Sequence, residues 1–164
     1  MELKNKVKGS LYILGSLFTV NILGCAPAIP LHSGQFFDTE QIANIQRGKS
    51  TKDNILSSLG APIAIAAKDE IITIQSPTIW HKGKVVRGKY HKIDSDTFFE
   101  LFSGNHALNE HHRIYYYYSA WSKMYGWYFL FGVYEVGRTD IDELWFLINE
   151  QTDVVEDYFV KLAS

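Results

Sequence analysis

Cysteine is the scarcest informative residue in this 164-residue chain, which contains only Cys25. A single cysteine excludes an internal disulfide framework and any zinc site built from several thiolates. Excess positive charge is also missing, since the formal net charge is −2, so nothing indicates a nucleic-acid-binding protein. Apolar residues make up 46% of the chain and aromatic residues 15%. That composition excludes a disordered segment and leaves room for one globular domain.

The amino-terminal 24 residues have the layout of a secretory signal. Three lysines within the first eight residues precede an uncharged run, Leu11–Leu23. As a helix this run spans about 20 Å, short of the roughly 30 Å core of a bilayer. The pattern therefore predicts a signal peptide over residues 1–24 and not a permanent membrane span.

The end of this run, Ile22-Leu23-Gly24-Cys25, resembles the lipobox of bacterial lipoproteins. The resemblance implies a diacylglyceryl group on the Cys25 thiol, cleavage before Cys25 and acylation of the new amine. Ala26 follows the cysteine where Asp would favour the inner membrane, so by resemblance to enterobacterial sorting we expect an outer-membrane protein that faces the periplasm. The alternative is an uncleaved helix with a free thiol. Residues 25–36 are predicted to form a tether.

Two capping patterns predict short helices after the tether. The first helix runs from a capping box at Asp38 and Gln41 to Gly48, and the second runs from a similar pattern at Ser50 to Gly60. Helices this short are unstable alone, so we expect them to lie on a sheet. Their apolar positions are Ile42, Ile45, Ile55, Leu56 and Leu59.

Segments rich in aromatic and β-branched residues predict four strands over residues 113–120, 127–136, 143–149 and 154–160. No long helical pattern separates them, so they should pair antiparallel, with a tight turn over residues 149–152. We therefore predict an α+β domain over residues 37–164, with two short helices packed on one face of an antiparallel meander. Residues 71–112 lie between the helices and the meander, with a strand over residues 71–75 and a short helix that begins near Asp94.

The helix signals also resemble those of a known family. Six residues together resemble the signature of the BamE (SmpA/OmlA) lipoproteins: Gly48, Thr51, Ile55, Leu59, Gly60 and Pro62. The hairpin over residues 143–159 is similar to the end of these proteins. The resemblance implies the two-layer fold, an outer-membrane location and a role in outer-membrane protein assembly. The chain departs from the family in the longer spacing between Gly48 and Thr51 and in the 71–112 insertion.

Candidate metal and acid–base residues cluster in the insertion. The spacing of its histidines fits no chelating motif, so we interpret them as exposed loop residues: His81, His91, His106, His111 and His112. Asp94, Asp96 and Glu100 fit helix capping better than an acid–base or cation site. Nucleophile and phosphate-loop motifs are absent. We therefore predict no catalytic residue, no metal, no cofactor and no enzymatic activity.

Aromatic residues are concentrated between Tyr115 and Tyr134, where they occupy eleven of twenty positions. Adjacent strand residues face opposite sides of a sheet, so both faces would carry rings. Either the insertion covers the second face, or the rings stay exposed as a partner-binding surface. For such a surface the candidates are Tyr115, Tyr117, Trp121 and Trp127.

The function predicted from these patterns is a lipid-anchored, non-catalytic scaffold or adaptor that binds another envelope protein, in outer-membrane protein assembly or envelope integrity. The basic stretch Lys82–Lys92 is interpreted as a solvated loop or a contact with anionic lipid. Nucleic-acid and small-molecule partners are not expected. The alternatives are a periplasmic inhibitor, a ligand-binding lipoprotein, or an envelope enzyme with a pocket at Tyr116, Asp94 or His112.

Overall fold

A computed structural model describes residues 25–81, 84–129 and 132–163. These residues form three short helices: α1 (Thr39–Ala43), α2 (Lys52–Leu59) and α3 (Asp96–Phe99). They also form nine strands: β1 (Cys25–Gly34), β2 (Ala64–Ala67), β3 (Ile71–Gln75), β4 (Ile79–His81), β5 (Lys84–Val86), β6 (Tyr90–Asp94), β7 (His112–Phe129), β8 (Gly132–Asn149) and β9 (Val154–Lys161).

A long hairpin of β7 and β8 forms the centre of the molecule. Each strand has 18 residues, and they pair in unbroken register from His112 opposite Asn149 to Phe129 opposite Gly132. At about 3.3 Å per residue the hairpin is nearly 60 Å long. Strand β9 pairs with β8, while β2 and β1 follow one another along the free edge of β7. The result is an antiparallel sheet of five strands.

The predicted two-layer α+β fold is wrong, because the chain is mostly β and its helices have only five, eight and four residues. The two strands predicted over residues 113–120 and 127–136 are parts of one hairpin. Residues 121–126 continue β7 because they pair with β8 on one side and with β1 on the other, although only Trp121 and Tyr125 among them favour strands. The change of direction falls between Phe129 and Gly132, inside a segment predicted as a single strand.

The predicted tether also differs from the structure, because residues 25–34 form strand β1 and pair with β7 from Ser119 to Trp127. Proline is tolerated there because β1 lies at the edge of the sheet, and its register shifts between Ala26 and Ile29. Cys25 is therefore part of the sheet. The predicted signal peptide, residues 1–24, lies outside the described residues.

The helix starts follow the predicted capping chemistry. The Asp38 side chain accepts a hydrogen bond from the Gln41 backbone N–H at 2.8 Å, and the Gln41 side chain accepts one from the Asp38 N–H at 3.0 Å. Helix α1 ends at Ala43, well before Gly48. Helix α2 begins one residue later than predicted, because Thr51 is its cap. Gly60 closes α2 at φ +78°, which confirms the predicted end.

The described parts of the sheet have a hydrophobic cluster on each face. Apolar residues before, within and after the first two helices cover one face: Phe37, Ile42, Ile45, Ile55 and Leu59, packed with Tyr115, Tyr117, Leu144 and Phe146. The insertion covers the other face through β3 and α3: Ile72, Ile74, Phe98 and Phe99, packed with Ile114, Tyr116, Tyr118 and Trp145. The insertion thus encloses the second face, as the first of the two interpretations expected.

The insertion is held by its own small sheets and by loop hydrogen bonds. Strand β3 pairs with β6, which confirms the strand predicted over residues 71–75, and β4 pairs with β5. Helix α3 begins at Asp96, and the Oγ of its N-cap, Ser95, accepts a hydrogen bond from the Glu70 N–H at 2.9 Å. Asp94 Oδ1 accepts from the Asp96 N–H at 3.2 Å in a local turn before the helix, whereas the N-cap side chain itself makes no capping hydrogen bond.

Candidate functional site

Two of the four predicted partner-surface residues are buried, which corrects that prediction. Tyr115 is 4% exposed and Tyr117 is 0% exposed, because the helices cover their face of the sheet. The Tyr117 hydroxyl donates a hydrogen bond to the Gly60 carbonyl at 3.0 Å. These rings belong to the core and offer no surface to a partner. The Trp127 side chain lies outside the described residues.

The role predicted for Trp121 stays a prediction, and its side chain is partly exposed, because it lies on the same face beyond the reach of the helices. It is half-buried, and its ring centroid lies 4.8 Å from that of His32 and 6.3 Å from that of Phe36. Phe36 is 56% exposed. We call His32, Phe36 and Trp121 the aromatic patch. Half-exposed rings of this kind supply contact area at little entropic cost, as binding hot spots do.

A shallow cleft of about 430 Å³ lies beside Trp121 and carries charges of both signs. Its lining residues are Trp121, Lys123, Arg138, Asp140, Asp142 and Ala163. Arg138 Nε lies 2.7 Å from Asp140 Oδ1, so one cation and one anion are paired at its margin. An aromatic centre with a charged margin is the layout of a protein-binding surface.

Histidine and carboxylate side chains form a network on β9. His112 is 3% exposed, its Nδ1 accepts a hydrogen bond from the Asn109 N–H at 3.0 Å, and its Nε2 lies 3.0 Å from Glu156 Oε2. Because the backbone donor occupies Nδ1, the proton is on Nε2 and is donated to Glu156. Both ring nitrogens are therefore engaged, so His112 has a structural role. Sequence spacing did not predict this pair, since 44 residues separate its members.

The neighbouring carboxylate, Asp157, extends this network. His106 Nε2 lies 3.1 Å from Asp157 Oδ2, and the Arg47 guanidinium contacts the other oxygen and covers the Tyr158 ring. Partial burial raises the pKa of both Glu156 and Asp157. Hydrogen bonds outweigh this effect of burial and lower both pKa values. Glu156 receives them from Asn149 and His112. Asp157 receives them from the Tyr158 N–H, His106 and Arg47.

Neither the remaining histidines nor the other carboxylates form a metal site. His81, His91 and His111 are exposed, as predicted, but His81 lies on β4 and His91 on β6 and not in loops. The exposure predicted for His112 is wrong, since its side chain is buried. Within the described ranges, no group of three or more His, Cys, Asp or Glu side chains could hold a metal ion. Asp96 Oδ1 accepts a hydrogen bond from the Asp69 N–H at 3.2 Å, so it supports a turn.

The residues named for the enzyme alternative do not converge. The Tyr116 hydroxyl donates to Glu143 Oε1 at 2.8 Å, and burial together with this carboxylate raises the pKa of Tyr116 strongly. The cavity beside Tyr116 has a volume of only about 220 Å³, and neither Asp94 nor His112 lines it. The tyrosine therefore stays protonated and structural.

The basic stretch is exposed on β5, on β6 and on the loop that connects them, and its described cations are Lys84, Arg87, Lys89 and Lys92. Cys25 is the first described residue and pairs with Trp127. The side chain of Cys25 lies outside the described residues. No helix in the described part of the chain is long and apolar enough to cross a membrane.

Comparison with known protein families, curated proteins and solved structures finds no match to this chain. The resemblance to the BamE lipoproteins thus stays a prediction from the sequence signature.

Proposed function

We propose that the protein is a lipid-anchored lipoprotein of the bacterial envelope that binds another envelope protein without catalysing a reaction. The lipid attachment site is Cys25, and the binding surface is the aromatic patch with the acidic part of its cleft, Asp140 and Asp142. The observation that carries the proposal is that the patch and Cys25 belong to one sheet, because His32 lies on β1 opposite Trp121. An outer-membrane location facing the periplasm is part of the same proposal.

The geometry supports a binding role because it fixes the patch relative to the anchor. Trp121 lies six residues along β7 from the partner of Cys25, which is about 20 Å at strand spacing. A surface held at a constant height above the bilayer meets membrane-bound partners at high effective concentration. Roles in outer-membrane protein assembly or envelope integrity fit such a surface.

The non-catalytic part of the proposal is supported by the state of the titratable groups. His112, which is buried, uses both ring nitrogens for structure, and Tyr116, whose pKa is raised most among the described tyrosines, donates a hydrogen bond to Glu143. The phenol keeps its proton and the imidazole has no free nitrogen, so neither is available for acid–base chemistry.

Photo-crosslinking in the intact envelope tests the binding surface. A benzophenone amino acid replaces Phe36 in the patch, and the matched control replaces Tyr90, an aromatic residue of the insertion that is 72% exposed. We expect one discrete protein adduct from position 36, lost when Trp121→Ala is added, and none from position 90. Equal adducts at both positions, or none at position 36, would contradict the proposed surface.

A further inference from the structure

The end of the β7–β8 hairpin lies directly beside the proposed lipid attachment site. Cys25 pairs with Trp127, and Ala26 pairs with Gly126. Residues opposite each other in an antiparallel ladder have Cα atoms about 5 Å apart. Because β1 is part of the sheet and begins at Cys25, no flexible linker separates the anchor from the hairpin. Acyl chains on Cys25 would therefore bring the backbone of Trp127 to the bilayer surface.

This end of the hairpin has an unusual composition. We define the hairpin end as residues 125–129 and 132–136. It contains five aromatic residues and one charged residue: Tyr125, Trp127, Tyr128, Phe129 and Tyr134, with Glu135. Tryptophan and tyrosine are the residues enriched at membrane–water interfaces, because one part of each ring system is apolar and the other can hydrogen-bond.

The sheet is also narrow at this level. Among the described residues, β9 pairs with β8 only from Glu143 onward, and β2 pairs with β7 only as far as Tyr116. The hairpin end thus extends past both strands, with only β1 beside it in the described pairings.

Two cations lie between the hairpin end and the body of the protein. Lys123 and Arg138 are opposite each other in the β7–β8 register, and both are exposed. Like charges in this position destabilise a sheet in water. Arg138 has a carboxylate partner in Asp140. Long cationic side chains next to an aromatic segment suit the phosphate layer of a membrane.

We propose that the hairpin end is a membrane-contact element. It enters the interfacial layer of the bilayer that holds the acyl chains of Cys25, and Lys123 and Arg138 contact anionic lipid phosphates. The inference rests on the proposed acylation. The acyl chains and the aromatic hairpin end then contact the bilayer at two adjacent points. Two contacts fix the tilt of the sheet relative to the membrane, whereas a lipid anchor alone leaves the sheet free to tilt.

Fluorescence quenching by brominated phospholipids tests this contact. Acylated protein purified from its native host is reconstituted into phosphatidylcholine or phosphatidylglycerol vesicles, and tryptophan emission is compared with and without brominated lipid. The chain has four tryptophans, so Trp127→Phe is compared with Trp145→Phe. Trp145 is the matched control because it is buried in the core and its Nε1 has no hydrogen-bond partner within the described part of the chain.

We expect quenching in the wild-type protein and in Trp145→Phe, and at least a twofold loss of the quenched fraction in Trp127→Phe. Quenching should be stronger in phosphatidylglycerol vesicles, and Lys123→Gln with Arg138→Gln should abolish that difference. A lipid effect that persists in the double variant would contradict the role of the two cations.

The failure of this inference can be told apart from failure of the anchor. If acylated protein is bound to vesicles but Trp127→Phe leaves the quenched fraction unchanged, the membrane-contact element is wrong and the anchor stands. If the protein carries no acyl chains and stays in the supernatant after centrifugation with vesicles, both are wrong.

Discussion

The attachment of β1 to the sheet depends on a glycine at the end of that strand. Gly34 has φ +94°, and a Cβ built there would lie 2.3 Å from the Tyr118 carbonyl oxygen and 2.4 Å from the Tyr118 ring. The next residue, Gln35, donates its N–H to the same carbonyl at 2.8 Å. Gly34→Ala is therefore unfavourable for two reasons: the backbone conformation suits glycine, and the added Cβ clashes where β1 approaches β7.

Two costs add at this position. A non-glycine residue at positive φ costs about 1–3 kcal/mol, and overpacking against a fixed neighbour costs about 1–3 kcal/mol more. The Tyr118 ring is buried beside Tyr116, so it has little room to move. We expect Gly34→Ala to lower the free energy of unfolding by about 4 kcal/mol.

Two other glycines provide matched controls. Gly48 has φ +71° and open space around a built Cβ, so Gly48→Ala isolates the backbone cost of about 1–3 kcal/mol. Gly104 has open space and no positive φ, so Gly104→Ala should be neutral or stabilise the fold slightly. Urea denaturation followed by near-ultraviolet circular dichroism measures all three. A loss in Gly34→Ala no larger than in Gly48→Ala would refute the packing of β1 against β7.

Three further predictions concern the network on β9, the core and the patch. Burial raises the pKa of Glu156, but hydrogen bonds from Asn149 and His112 lower it overall. The stability that ionised Glu156 adds to the fold is therefore present above the pKa of the unfolded carboxyl, and it is lost as pH falls through the folded pKa. Glu156→Gln should therefore lose stability less steeply than wild type between about pH 5 and pH 3 in urea titrations, and an unchanged slope would be evidence against the network. Tyr117→Phe leaves the Gly60 carbonyl without its 3.0 Å donor and should cost about 1–2 kcal/mol in the same assay, whereas no loss would contradict that hydrogen bond. Trp121→Ala should remove the position-36 crosslink while the thermal unfolding midpoint falls by less than about 3 °C, and a large fall would show that the ring is a core residue.

Features fixed by local chemistry were predictable from the sequence. The capping box at Asp38, the helix end at Gly60 and the turn that begins at Asn149 each depend on residues within a few positions of one another. The strand that follows this turn begins at Val154, as predicted. Such signals are reliable because the competing conformations lack the same local hydrogen bonds.

The hairpin and β1 were not predictable in this way. Their pairing joins residues about one hundred positions apart, as in His32 with Trp121, and a strand pattern alone does not reveal its partner. No turn-forming pair marks the reversal near Phe129, so residues 127–136 had the pattern of one strand. Proline and glycine near Cys25 indicated a linker, although an edge strand accommodates them.

The candidate site was predicted only in part. The density of aromatic residues indicated the strand on which the partly exposed Trp121 lies, but it did not separate Trp121 from the buried Tyr115 and Tyr117, because burial depends on where the helices end. Phe36 gave no signal, since its exposure beside Trp121 follows from the turn that connects β1 to α1.

Mass spectrometry of the protein purified from its native host tests the central claim most directly. The account predicts a chain that begins at Cys25 and carries the mass of a diacylglyceryl group and an amide-linked acyl chain on that residue. A chain that retains the residues before Cys25 with an unmodified thiol would contradict the anchor, the fixed height of the aromatic patch and the membrane-contact element together.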